Sequence, residues 1–230
     1  MTITPTTLTR AAGVAAVAAG LIFIGVNINH PHLDATSVTT TEVAVRNALK
    51  ALMAVLALVG ITGMYLRQVS KIGVLGLTGY VLFGTGYLIT MSTAFVAAFV
   101  LPSIAGTDPG YVDDVLAAAT PGGSVTGDIG LLQTAIQAQG ITYLAGGLVF
   151  GIALYRAAVL ARWATALLAV ASVLTVTLAV LPDDFYRFLA FPNGLAMVAL
   201  GYSLWLTART DTTTRPTTAD TPHPTPAGAQ

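Results

Sequence analysis

Two histidines and two carboxylates stand close together after the first apolar run of the chain. His30 and His32 lie in "VNINHPHLD", Asp34 closes that stretch, and Glu42 opens the next apolar run. Two imidazole nitrogens and two carboxylate oxygens are an adequate donor set for zinc, and a zinc with an open coordination position would make a metal-dependent hydrolase at a membrane surface. Local geometry works against this. Pro31 biases His30 toward extended backbone, so both rings would project from one side of a strand-like piece rather than from facing helices. No HExxH signature occurs, and a proline-terminated helix with polar neighbours explains the same stretch without a metal. Zinc at His30, His32, Asp34 and Glu42 and the wet end of a helix are the two readings of this stretch.

A second group consists of cations and amides. Arg46 and Lys50 are one helical turn apart and share a face, while Asn29, Gln133, Gln137 and Asn193 flank other apolar runs. Together they would bind a small ligand or partner if the chain brings those ends to one place. Lys50 has a simpler fate as well, because a lysine near a helix end snorkels its amine to water. Other chemistries are not written here. The absence of cysteine excludes disulfides, iron–sulfur clusters and thiol catalysis, and no GxSxG elbow or GxxxxGK phosphate loop occurs. Asp183 and Asp184 are adjacent carboxylates, but they sit in a short turn where Arg187 can pair with them.

The elements that must position these groups are apolar helices. The 230 residues are 55% hydrophobic and only 9% charged, against about 25% charged in soluble domains. Ten basic and ten acidic residues balance without clustering, which argues against nucleic acid as a partner. Six runs are long enough to cross hydrocarbon, at about 11–29, 46–66, 72–101, 139–155, 163–181 and 188–208. Because lipid offers no partners to backbone amides, and because the runs are continuous rather than alternating, the expected fold is all-α, a six-transmembrane-helix bundle. The first run is read as a retained helix, since its "AVA" pattern precedes the most hydrophobic part instead of following it.

Basic residues set the orientation. Arg10, Arg67, Lys71, Arg156, Arg162, Arg209 and Arg215 fall on one side, leaving Arg46, Lys50 and Arg187 on the other. By the positive-inside rule both termini are cytoplasmic. Short inner turns are expected at "RQVSK" and "RAAVLAR", and a long outer loop between the third and fourth spans carries a short helix capped by Asp108 and Pro109. The fourth helix should begin outside the bilayer, within "GDIGLLQTAIQAQG". Residues 209–230 are rich in Thr and Pro and are expected to form a disordered cytoplasmic tail, with His223 in it.

The third span contains three seven-residue units in which Thr78, Thr85 and Ser92 recur, with Gly79, Gly86 and Thr93 beside them. Matching small residues occur at Gly147 and Gly151 and at Ala12, Ala16 and Gly20. Such seams let helix backbones approach closely, within one chain or between copies in a homo-oligomer or with another membrane protein. A hydroxyl-lined path through the bundle, as in a small transporter, is the functional alternative.

The order of pieces, "TRAAG" entering the first span, Tyr–Arg ends on the second and fourth, "LP" after the fifth and "SLWL" near the end of the sixth, resembles small bacterial six-helix membrane proteins of unknown function. The resemblance covers about residues 8–208. It implies a multi-pass bundle in the bacterial cytoplasmic membrane and transfers no catalytic residue. "NHPHLD" matches no motif of that group. The expected function is therefore binding at the outer polar mouth, without a cofactor, with the lipid bilayer as the surrounding partner; a zinc hydrolase and a transporter stand as alternatives.

Overall fold

A computed structural model of the chain describes residues 4–120, 122–177 and 190–213. Asp183, Asp184 and Arg187, and the tail bearing Arg215 and His223, lie outside the described residues. Among the described residues all regular structure is helical. The elements are α1 (Pro5–Asn27), α2 (Thr41–Phe99), α3 (Leu101–Ile104), α4 (Pro109–Ala118), α5 (Leu131–Ala157), α6 (Arg162–Thr177) and α7 (Ala190–Thr213), with a 3-10 turn at Ser37–Thr39. Among the described residues, three apolar stretches are long enough to cross a membrane: α1, the run from Thr41 to Ile104, and α5.

Hydroxyl and carboxylate caps start α1, α2 and α4. Thr4 Oγ1 accepts from the Thr7 amide at 3.2 Å with Pro5 in the first turn, and Thr40 Oγ1 accepts from Val43 at 3.4 Å. Asp108 Oδ1 accepts from Tyr111 at 3.0 Å at the start of α4, again with proline in the first turn. α5 begins at Leu131. α7 continues through Thr213, so the start of the expected tail is helical.

The expected turn at "RQVSK" is helical. α2 runs 59 residues with one break, Gly73, at φ 53° and ψ −154°. Nothing in "RQVSK" forbids a helix, whereas this backbone region is almost closed to residues with a Cβ. The chain therefore stays helical to the first glycine after "RQVSK", Gly73, and folds back there. Tyr65 stacks on Tyr80 at 4.7 Å, and Thr62 Oγ1 is 3.0 Å from the Tyr80 hydroxyl, so residues 41–72 and 74–99 lie antiparallel.

The six helical lengths close on themselves. α1 lies between α7 and the first half of α2, the second half of α2 lies against α5, and α6 joins α5 to α7. Small residues set these approaches. A Cβ on Gly60 would stand 2.7 Å from Ala16 Cβ, one on Gly86 2.8 Å from Tyr143 Cα, and one on Gly151 2.8 Å from the Ala169 nitrogen. The seams at Ala12, Ala16, Gly20, Gly79, Gly86, Gly147 and Gly151 are thus occupied within the chain. Thr85 and Ser92 turn away from the seam and donate to their own helix, to Val81 O at 2.9 Å and Leu88 O at 3.0 Å. Ile61, Met64, Phe83, Phe150, Leu200 and Leu204 form the fully buried centre. The outside is also apolar: Leu66, Val74 and Ile141 are more than 60% exposed, a surface suited to hydrocarbon.

A second, smaller core lies at one end of the bundle. Val38, Val43, Leu101, Val112, Val115 and Ile129 bury one another there, joining the α1–α2 connection to α3, α4 and the segment leading into α5. The long loop read from the sequence is a folded cap.

Candidate functional site

The site forms where α1 ends and α2 begins, beneath this cap. α1 stops at Asn27, whose amide donates back to Phe23 O at 2.7 Å. Asn29 then takes a left-handed conformation, φ 47°, which asparagine tolerates better than most residues. The chain reverses, and α2 runs back beside α1 and carries Glu42, Arg46 and Lys50 past its end.

Arg46 reaches across the join. Its Nη1 donates to the carbonyls of Val26 and Ile28 at 3.2 and 2.9 Å, and its Nε donates to Glu42 Oε1 at 3.0 Å. Those carbonyls belong to the end of a helix, where intrahelical donors run out and the dipole is negative, so a guanidinium is well placed to satisfy them. Arg46 Nη2 completes an ion pair with Glu42 Oε1 at 2.9 Å.

Lys50, one turn deeper and half-buried, has its Nζ 2.9 Å from His30 Nε2. His30 Nδ1 lies 2.9 Å from Pro31 O. An ammonium can only donate and a carbonyl can only accept, so both contacts together require the neutral ring with its proton on Nδ1. Protonating Nε2 would set two donors against each other.

The remaining candidates are distributed elsewhere. His32 is exposed. Asp34 Oδ1 accepts from the amides of Thr36 and Ser37 at 2.9 and 2.7 Å, shaping the 3-10 turn. These bonds, the Ser37 amide first, hold its carboxyl below the usual 3.8 against a smaller opposing effect of desolvation. Gln133 and Gln137 lie on the first turns of α5, half-buried and exposed respectively, without a hydrogen bond to His30 or Lys50 among the described residues. Asn193 is buried on α7, and its Oδ1 has no hydrogen-bond partner among the described residues. His30, Glu42, Arg46 and Lys50 are therefore brought together, and the other candidates are not.

Asp34 Oδ1 is engaged by two backbone amides and Glu42 Oε1 by Arg46. Among the described residues no three His, Asp or Glu side chains converge as a metal site.

Sequence reasoning missed the two carboxylates that hold the cap. Asp113 Oδ1 accepts from the Ala35 amide at 2.7 Å, tying α4 to the α1–α2 connection. Asp114 accepts from Thr126 N and Oγ1 at 2.7 and 3.0 Å and from Gly127 N at 2.9 Å. Its carboxyl is lowered from 3.8, chiefly by the Thr126 amide. Apart from Thr126 Oγ1, the donors are backbone amides distant in sequence, so no side-chain pattern signals them. The opposite end of the bundle is basic and aromatic: Arg162 lies 4.6 Å over Tyr155 and Arg209 4.7 Å over Trp205.

The chain matches no protein-family model, and neither a curated protein nor a solved structure matches it. What it does must be read from its own residues.

Proposed function

We propose that this chain is an integral protein of the bacterial cytoplasmic membrane that crosses the bilayer six times, with both ends in the cytoplasm, and binds a small ligand or partner at its outer mouth without catalysing a reaction. The single observation that carries the binding reading is the meeting of His30, Glu42, Arg46 and Lys50 at one end of the bundle. An ammonium, an imidazole and a guanidinium held at a helix end, beneath a folded cap, make a polar site rimmed by apolar surface. Sidedness is supported by the distribution of charge. Arg10, Arg67, Lys71, Arg156, Arg162 and Arg209 fall at the end away from the cap, on the first turns of α1, the fold of α2, the α5–α6 turn and the last turns of α7. The apolar exterior supports the bilayer as the surrounding medium.

The test is a panel of small carboxylates and phosphates added to the purified protein in detergent. A ligand of the mouth should raise the unfolding midpoint of the wild type and should fail to do so in Lys50→Met and His30→Phe. No rise in the wild type across the panel, or an equal rise in both variants, would remove the mouth as a binding site.

A further inference from the structure

A groove of ≈ 460 Å³ runs between the last turns of α1 and the first turns of α2. Its walls are Ile22, Gly25, Val26, Val45 and Leu49. A Cβ added to Gly25 would meet nothing within 4 Å, so the groove is open beside it. At its polar end stand Thr41, Glu42 and Arg46. We propose that this groove holds one phospholipid of the outer leaflet whose zwitterionic headgroup carries a primary ammonium. The inference rests on the membrane reading above and not on ligand binding by His30 and Lys50.

Charge complementarity selects the headgroup. Arg46 has five N–H donors. One is spent on Glu42 through Nε, two on carbonyls through Nη1 and one on Glu42 through Nη2. One Nη2 hydrogen has no printed partner among the described residues, and Arg46 lines the groove's polar end. Thr41 lines the same end of the groove at the N-terminus of α2, where the helix dipole favours a phosphate. Glu42 is committed through Oε1 alone, and its side chain is 60% exposed, against 20% for Arg46. Its second oxygen is therefore free to accept from an ammonium. Because Glu42 already neutralises Arg46, a headgroup with net negative charge gains a cation and meets a carboxylate, whereas one carrying both signs is matched at both. A trimethylated ammonium has no N–H to donate, so a primary amine is favoured over choline. The apolar walls below then receive an acyl chain.

The experiment uses the full-length protein in detergent, offered phosphatidylethanolamine, phosphatidylglycerol and phosphatidylcholine with identical acyl chains and read by native mass spectrometry. The wild type should retain phosphatidylethanolamine with about tenfold preference over each of the others, the effect of about 1.4 kcal/mol. Glu42→Gln should abolish the preference while keeping some retention of all three lipids. Gly25→Leu should empty the groove of every lipid with the protein still folded, since its backbone site is open. Equal or greater retention of phosphatidylglycerol, or unchanged retention in Gly25→Leu, would overturn the proposal while leaving the membrane reading intact. A chain recovered as a monomer in water without detergent would overturn both.

Discussion

Replacing Gly86 by alanine puts the packing of α2 against α5 to a quantitative test, because the same change at Gly140 supplies its own control. Both glycines are inside helices. Each substitution therefore gains the same helix propensity, about 1 kcal/mol, and that gain cancels in the comparison. Their surroundings differ. At Gly86 the new Cβ would stand 2.8 Å from both the nitrogen and the Cα of Tyr143, backbone atoms that no rotamer change can move, whereas at Gly140 it would meet nothing within 4 Å. To reach ordinary contact at 3.4 Å or beyond, α5 must move away from α2 and disturb the rings of Phe83, Tyr87 and Tyr143, whose centroids lie 4.8 to 5.3 Å apart. Overpacking of this kind costs about 1–3 kcal/mol. Gly86→Ala should thus be less stable than Gly140→Ala by about 1–3 kcal/mol, measured by titrating mixed micelles with a denaturing detergent and following helix content. Equal midpoints, or a Gly86→Ala protein more stable than Gly140→Ala, would refute the seam as a close backbone contact.

Gly73→Ala should cost about 1–3 kcal/mol in the same assay, because φ 53° with ψ −154° admits little but glycine; no loss would mean that the α2 fold-back does not depend on this backbone state. Asp34 and Asp114 have carboxyls held below 3.8, so their bonds contribute to the cap at every pH above that value and are lost as the pH falls through their lower folded pKa values. Amide exchange at Ser37, Thr126 and Gly127, corrected for its intrinsic rate, should keep its protection at neutral and mildly acidic pH and lose it only below 3.8; loss near neutrality would contradict the assignment. Asp114→Asn should release the Thr126–Gly127 segment to protease while leaving the basic end of the bundle resistant, and cleavage at both ends alike would show that the cap is not a separate core.

The periodic features of the fold could be read from residue order, because they follow from local rules. Continuous apolar runs demand helices in lipid, and the seven-residue spacing of Gly79, Gly86 and Thr93 marks the face that meets α5, where Thr93 Oγ1 donates to Gln139 Oε1 at 2.9 Å. Asp108 with Pro109 announces α4. The fold-back of α2 was displaced from "RQVSK" to Gly73, since interfacial cations mark where a helix leaves the bilayer and not where its backbone can break. The site was legible only in part. His30 and Lys50 are twenty residues apart and meet because the α1–α2 connection reverses direction, which composition cannot specify. Among the acidic residues outside the apolar runs, Asp34, Asp113, Asp114 and Asp128 accept from backbone amides. A carboxylate's preference for water and its preference for a turn amide leave the same mark in a sequence, and only the fold separates them.

The chain contains no cysteine, so single-cysteine variants report sidedness without background. Thr107 is exposed on the cap beside α4, and Ser70 is exposed near the fold of α2. In intact cells, a membrane-impermeant maleimide should label Thr107→Cys and should reach Ser70→Cys only after permeabilisation. Labelling of Ser70→Cys from outside, with Thr107→Cys protected, would place the basic end of the bundle on the exterior and contradict the orientation on which the outer mouth depends.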